Sequence, residues 1–215
     1  MKSPTDPALI GVVLYDGVEP IDVGGTIGVL SMAQRVLPGL KYVTIAPSAG
    51  AVKLASGLVV MADTDFDGAP SCDFVVVTGG PGWRDQIENA SMLSFLSRQQ
   101  PSQLGSVCTG ALILAAAGQL KDKTVTTRRL STGAETISPL GLLETSGRVG
   151  HSRVAAVVDH HGTVTSGGVS LAIDGTLYLL SRLYGDQTSH AIARMIEYDR
   201  AYAANREALG HFRVA

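Results

Sequence analysis

The 215-residue sequence has no cluster of lysines and arginines beyond the pair Arg128-Arg129, and its formal net charge is −2. Phosphate binding draws on several clustered cations that release counterions, so a nucleic acid is excluded as the main partner. No leader is expected from the first residues: 1–8 are polar and proline-bearing, and the apolar stretch behind them is broken by Asp16 and Glu19. This matches neither a signal peptide nor a membrane span, so the expectation is a cytoplasmic protein without a membrane partner. Cysteine is scarce, with only Cys72 and Cys108. In the absence of a secretory signal a structural disulfide is not expected, and the two are read as independent thiols. No repeat, low-complexity tract or linker is present. What is present, 45% hydrophobic residues against 17% charged and 25 glycines, suits a compact globular chain with a substantial core. One domain is expected over 8–200, with a helical extension over 201–215.

Short β-rich apolar runs recur at 8–14, 42–46, 74–77 and 105–107. Longer segments of helical spacing, 21–37 and 92–104, lie between them. Continuous apolar strands alternating with helices predict a mostly parallel sheet covered on both faces, an α/β fold. Two departures from that rhythm read as hairpins: 52–54 with 58–60, and 153–158 turning at 159–162 into 163–165. A largely buried helix is expected over 169–184 and a more amphipathic one over 192–209.

The stretch S-V-C-T-G-A-L at 106–112 puts Cys108 where a strand gives way to an Ala/Leu-rich helix. On such a turn the side chain stands clear of the sheet and faces unpaired helix N–H groups, which favours a thiolate with a lowered pKa. The nucleophile elbow of serine hydrolases uses the same geometry. Gly110 removes a Cβ where the turn packs closest, and Thr109 offers a hydroxyl and an N–H. A buried structural cysteine fits the local pattern equally well. Two further segments bear on the choice. G-G-P-G at 79–82 follows an apolar strand, where free N–H groups of Gly79 and Gly80 would form an oxyanion-type pocket; alone it is also a plain turn. Asp22 lies between Ile21 and Val23 at a helix start. There it is either a carboxylate complementing the helix dipole or, desolvated beside a thiol, a general acid or base.

These residues, together with G-G-V-S-L-A-I-D at 167–174, resemble the ThiJ/PfpI superfamily, the class I glutamine amidotransferase-like proteins, from about Ile10 to about Tyr198. The resemblance implies a flavodoxin-like three-layer sandwich with the elbow at Cys108, β-hairpin insertions and a homodimer. Peptidase-like members carry His directly after the nucleophile; here that place is Thr109, which argues against a protease. The C-T-G elbow, Asp at 22, V-T-T at 125–127 and I-E-Y at 196–198 look like the isocyanide (isonitrile) hydratase branch. That branch implies addition of water to a small-molecule isocyanide, giving an N-substituted formamide. Cys108 would be the nucleophile, Asp22 the acid/base, and Thr109 with Gly79 or Gly80 the substrate-positioning groups, with no metal or organic cofactor. Where the branch commonly has His-Trp after T-T, this chain has Arg128-Arg129, and V-G-G-T at 23–26 also departs from its pattern.

The same elbow occurs in the sensor domains of AraC-type regulators, which makes a ligand or redox sensor the main alternative; no helix-turn-helix region is expected in the 215 residues. Glyoxalase-like chemistry on 2-oxoaldehydes fits less well, because such members pair the nucleophile with Glu and His. The five histidines show no metal-ligand spacing, and His160-His161 read as solvated turn residues. Trp83 is read as lining a pocket mouth, as a dimer contact or as capping the core edge. Arg128 and Arg129 are read either as anion ligands or as surface ion-pair partners.

Overall fold

The computed structural model describes residues 1–214. Twelve strands alternate with eight helices, and eight of the strands form one sheet. In chain order the elements begin β1 (Ala8–Val13), α1 (Pro20–Ala33), β2 (Leu40–Ala46), β3 (Gly50–Lys53), β4 (Val59–Ala62), β5 (Thr64–Asp65) and β6 (Phe74–Val77). They continue α2 (Trp83–Gln86), α3 (Ala90–Ser97), β7 (Leu104–Ser106), α4 (Gly110–Ala116), β8 (Thr124–Val125), α5 (Pro139–Thr145) and β9 (His151–Ser152). The last are β10 (Val157–His160), β11 (Thr163–Ser166), α6 (Leu171–Tyr184), α7 (Asp186–Met195), α8 (Asp199–Leu209) and β12 (His211–Val214).

The large sheet runs β12-β10-β11-β7-β6-β1-β2-β5, and every neighbouring pair is parallel except β10 with β11. Central strands are apolar on both faces because helices cover both: all four residues of β6 are buried, as are five of the six in β1. The helices fall into two sets, α1, α6 and α7 packing together, and α2, α3 and α5 against α4. This is the α/β sandwich expected from the alternation of apolar strands and helices.

Both expected hairpins form. β3 and β4 pair antiparallel as a separate ribbon, and β10 turns into β11 through His161 and Gly162, both at positive φ (48° and 95°). Two left-handed residues match the twist that a two-residue hairpin loop demands. Asp159 closes this turn by accepting the Gly162 N–H at 3.0 Å.

Helix boundaries depart from the sequence pattern at identifiable places. The segment over 92–104 is α-helical only to Ser97, because Pro101 forces Gln100 into extended backbone (ψ 128°), and a single 3-10 turn over Pro101–Gln103 then leads into β7. The single helix expected over 192–209 is two, α7 and α8, broken at Ile196–Tyr198 with Glu197 at φ 56°. The tail expected to be helical over 201–215 is so to Leu209; residues 211–214 then pair with β10 as the edge strand.

The break in the last helix is held by a buried carboxyl. Asp174 of α6, with no exposed surface, accepts from the Tyr198 hydroxyl at 2.9 Å and from Asn205 Nδ2 at 3.1 Å, while its Oδ1 is buried without a partner. Burial raises its pKa from 3.8 to about 6 against the pull of those two donors. The folded chain thus holds a proton that the unfolded chain releases, so this contribution to stability is present below pH 4 and is lost as pH rises through 6. At about 1.4 kcal/mol per unit the cost at neutral pH is on the order of 3 kcal/mol. Asp174→Asn should therefore melt higher than the parent at pH 8, with the gain vanishing at pH 4, as thermal melts at the two pH values would read.

Candidate functional site

Four segments meet at the carboxyl edge of the parallel strands, the edge where open α/β sheets bind ligands. Cys108 follows β7, Gly79 and Gly80 follow β6, Gly167 to Val169 follow β11, and Asp22 comes from the first turn of α1 after β1.

Cys108 sits in the left-handed region at φ 52°, between the end of β7 and the start of α4. This is uncommon for a residue with a Cβ, and its surroundings impose it. Its N–H donates to Gly167 O at 3.2 Å, and its carbonyl accepts from the Thr127 hydroxyl. Gly110 permits α4 to start here, since a Cβ at that position would lie 2.1 Å from Val77 O. The thiol is only 3% exposed, yet it borders a cavity of about 360 Å³ shared with Glu19, Trp83, Thr109, Arg128 and Glu135.

The thiol is not ionised at rest. Burial first, and the Asp22 carboxylate second, push its pKa up to about 12; the Thr109 and Val169 N–H groups and Arg128 pull the other way. The lowered thiol pKa expected from the helix terminus is thus corrected: α4 has seven residues, and desolvation outweighs what its first turn supplies.

Asp22 has no exposed surface. Its Oδ2 accepts from the Gly79 N–H at 3.1 Å, and Oδ1 is buried with no partner. Desolvation raises its pKa to about 7, opposed chiefly by a hydrogen bond from the Cys108 thiol and by the Gly79 N–H. A Cβ on Gly79 would lie 2.7 Å from both Asp22 Oδ2 and Cys108 Cβ, so only glycine lets acid and thiol approach this closely. The structure therefore brings Cys108, Asp22, Thr109, Gly79 and Gly80 together.

The glycine N–H groups have a different task from the one expected. Gly79 donates to Asp22, and Gly80 donates to Thr109 Oγ1 at 2.8 Å. Both donors are engaged by side chains, so in this arrangement they orient the acid and Thr109; they do not form an open oxyanion pocket. The N–H groups directed at the sulfur are those of Thr109 and Val169.

Val169, Arg128, Glu135 and Glu19 complete the site. Val169 lies at φ 62°, a severe outlier for a β-branched residue, and the strained turn directs its N–H at both Asp22 and Cys108. Arg128 makes a bidentate pair with Glu135, 2.7 and 2.9 Å, at the cavity wall; it is neither a free anion ligand nor a surface ion pair. The G-G-V-S motif marks Val169's neighbourhood, but nothing local marks a valine for a left-handed turn. Glu135 lies seven residues beyond Arg128 with no periodic signal to join them.

The other candidates lie elsewhere. Cys72 is a free thiol in the core, near Pro70 O. Trp83 is buried at the start of α2 and also borders the cavity, so the core-capping and pocket readings of it both hold. His160 is more than a solvated turn residue, because its Nδ1 accepts the Thr124 N–H at 2.9 Å. Among the described residues no group of three or more His, Cys, Asp or Glu converges as a metal site would require, and no helix is long and apolar enough to cross a membrane.

Comparison with known proteins places this geometry. The DJ-1/PfpI family pattern matches residues 8–182. The chain belongs to the DJ-1/PfpI family. Within it, the chain is 30% identical over 191 residues to the isonitrile hydratase of Pseudomonas putida, covering 88% of this chain and 78% of that protein. It is equally 30% identical over 200 residues to the HTH-type transcriptional regulator GbdR of Pseudomonas aeruginosa, covering 91% of this chain but only 52% of the regulator. In structure it is similar to a ThiJ/PfpI family protein from Pseudomonas syringae, with a TM-score of 0.78, 25% identity, and 92% and 78% of the two chains covered. The fold is also that of Drosophila melanogaster DJ-1beta, with a TM-score of 0.74 at 20% identity over 89% and 98% of the chains. The family thus contains both enzymes and transcription regulators.

Proposed function

We propose that this protein is a cysteine-dependent hydratase that converts a small isocyanide to the corresponding N-substituted formamide. The observation that carries the reading is one thiol at the wall of a cavity with a buried, protonatable carboxyl held against it from behind. Similarity to an isonitrile hydratase over most of both chains supports it.

The steps use these two side chains and one water. As Cys108 Sγ attacks the terminal carbon of R–N≡C, its proton passes to Asp22, and Asp22 delivers that proton to the same carbon. The product is a thioimidate, Cys108–S–CH=N–R. Asp22, again a carboxylate, takes a proton from water as the oxygen adds to that carbon and hands the same proton to the nitrogen, giving Cys108–S–CH(OH)–NH–R. Collapse of this tetrahedral adduct breaks the C–S bond, returns a proton to sulfur and releases R–NH–CHO. A pKa of about 7 suits Asp22 to both directions of transfer. A thiol at about 12 attacks only as its proton leaves for Asp22, which couples the two events.

The test is incubation of purified protein with a panel of alkyl isocyanides, following formamide by NMR. No turnover of any member by folded protein would reject the hydratase reading. Similarity to a transcription regulator favours a ligand-sensing alternative. Saturable binding of the same isocyanides without turnover would support that one. The homodimer and the cytoplasmic location belong to the hydratase proposal; a native-mass measurement reads the first.

A further inference from the structure

We propose that Arg128 is a specificity-determining residue that limits the size of the molecule able to reach Cys108, and that Glu135 holds it in place. The inference rests on Cys108 being the reacting group, as above, and concerns which reagents or substrates it can meet.

A second cavity of about 300 Å³ lies beside the one that holds Cys108. Arg128, Thr132 and Val169 line both, so these three side chains form the partition between them. Thr132 is small, and Val169 is fixed by its left-handed backbone. Arg128 is the only long side chain of the three and the only one able to swing.

Its stem runs against Gly168, where a Cβ would lie 2.5 Å from Arg128 Cβ and 2.7 Å from its Cγ. The missing side chain at 168 is what gives the arginine room. Its head is pinned from several sides. Nη2 donates to both Glu135 oxygens at 2.7 and 2.9 Å, and Nη1 donates to Leu130 O and to Thr132 Oγ1 at 3.1 Å. Glu135 is anchored in turn by the Thr132 N–H at 2.8 Å, and the loop is closed by the Leu140 N–H on Arg128 O at 3.1 Å. A planar guanidinium with both terminal nitrogens engaged is a rigid partition, unlike an exposed arginine in free rotation.

Substrates confined to the first cavity are therefore small. Removing the arginine would join the two cavities and admit groups the native protein excludes. Size discrimination by a pocket wall commonly spans about tenfold to a hundredfold in rate.

The experiment reads access to the sulfur without requiring hydratase activity. The rate of Cys108 alkylation, followed by peptide-level mass spectrometry so that Cys72 is scored separately, is measured with iodoacetamide and with a bulky N-aryl maleimide. In Arg128→Ala the ratio of maleimide to iodoacetamide rates should rise at least about tenfold over the parent. Glu135→Gln, which keeps the shape but loses the charge on the pin, and Arg128→Lys, which keeps the stem but loses the planar fork, should each raise it by a smaller factor. An unchanged ratio in both Arg128→Ala and Glu135→Gln would overturn the proposal, and Glu135→Gln decides it alone if Arg128→Ala fails to fold. Absence of isocyanide turnover would reject the hydratase reading while leaving this ratio intact.

Discussion

Cys108→Ala should leave a folded protein with no measurable conversion of isocyanide to formamide. The substitution removes the sulfur that forms the covalent intermediate, and the steps above have no route that bypasses it. Alanine keeps the Cβ and removes a single buried sulfur, so the cavity it leaves is small and the elbow's main-chain bonds to Gly167 and from Thr127 are retained. Circular dichroism and a melting curve near those of the parent, together with loss of turnover, are the expected pair of results. Parent-like turnover in the alanine variant would show that the chemistry resides elsewhere. Trapping adds a direct reading: the parent, quenched during turnover, should carry one isocyanide-mass adduct on the peptide containing Cys108.

Asp22→Asn should lower the rate by about 10²- to 10⁴-fold, the usual worth of a positioned general acid–base. Asparagine can still accept the Gly79 N–H, so the fold should hold, but it cannot relay a proton from sulfur to carbon. The pH profile separates this role from a structural one. With Asp22 at about 7 and the thiol at about 12, the reactive form carries one proton between the two groups and predominates above pH 7. The parent's kcat/KM should therefore rise with pH, about tenfold per unit below 7, and level off above it. In Asp22→Asn that limb should disappear. A parent profile flat across pH 6–8, or a variant that retains the limb, would remove Asp22 from the proton path.

Much of the fold was legible in the residues. The runs at 8–14 and 74–77, and 42–46 apart from Thr44, are apolar because both sheet faces are covered, and each is a strand within a residue or two of its expected bounds. The hairpins declared themselves through turn chemistry. The small strand pair β8 and β9 and the edge strand β12 did not, because two to four residues pairing with a distant segment leave no local period. The break at Glu197 was hidden for a related reason: it is held by Asp174, twenty-three positions earlier, through Tyr198.

The candidate site divides the same way. Cys108, Asp22, Gly79 and Gly80 were identifiable because each residue type is informative beside the end of an apolar strand. Arg128 was visible as a residue but not as a wall, since its role depends on Glu135 and on the empty space over Gly168. The glycine N–H groups were visible as donors, but not the partners that engage them.

Sequence by itself determined the layered α/β architecture and the strand-to-helix turn at Cys108, because apolar periodicity is a local property; Cys108 and Asp22 came forward as candidate nucleophile and acid/base through the family resemblance. Tertiary structure alone decided that the thiol is protonated at rest, that the acid sits near neutrality and that an arginine walls the cavity. Those are consequences of desolvation and of distances between segments far apart in the chain, and only the folded packing sets either.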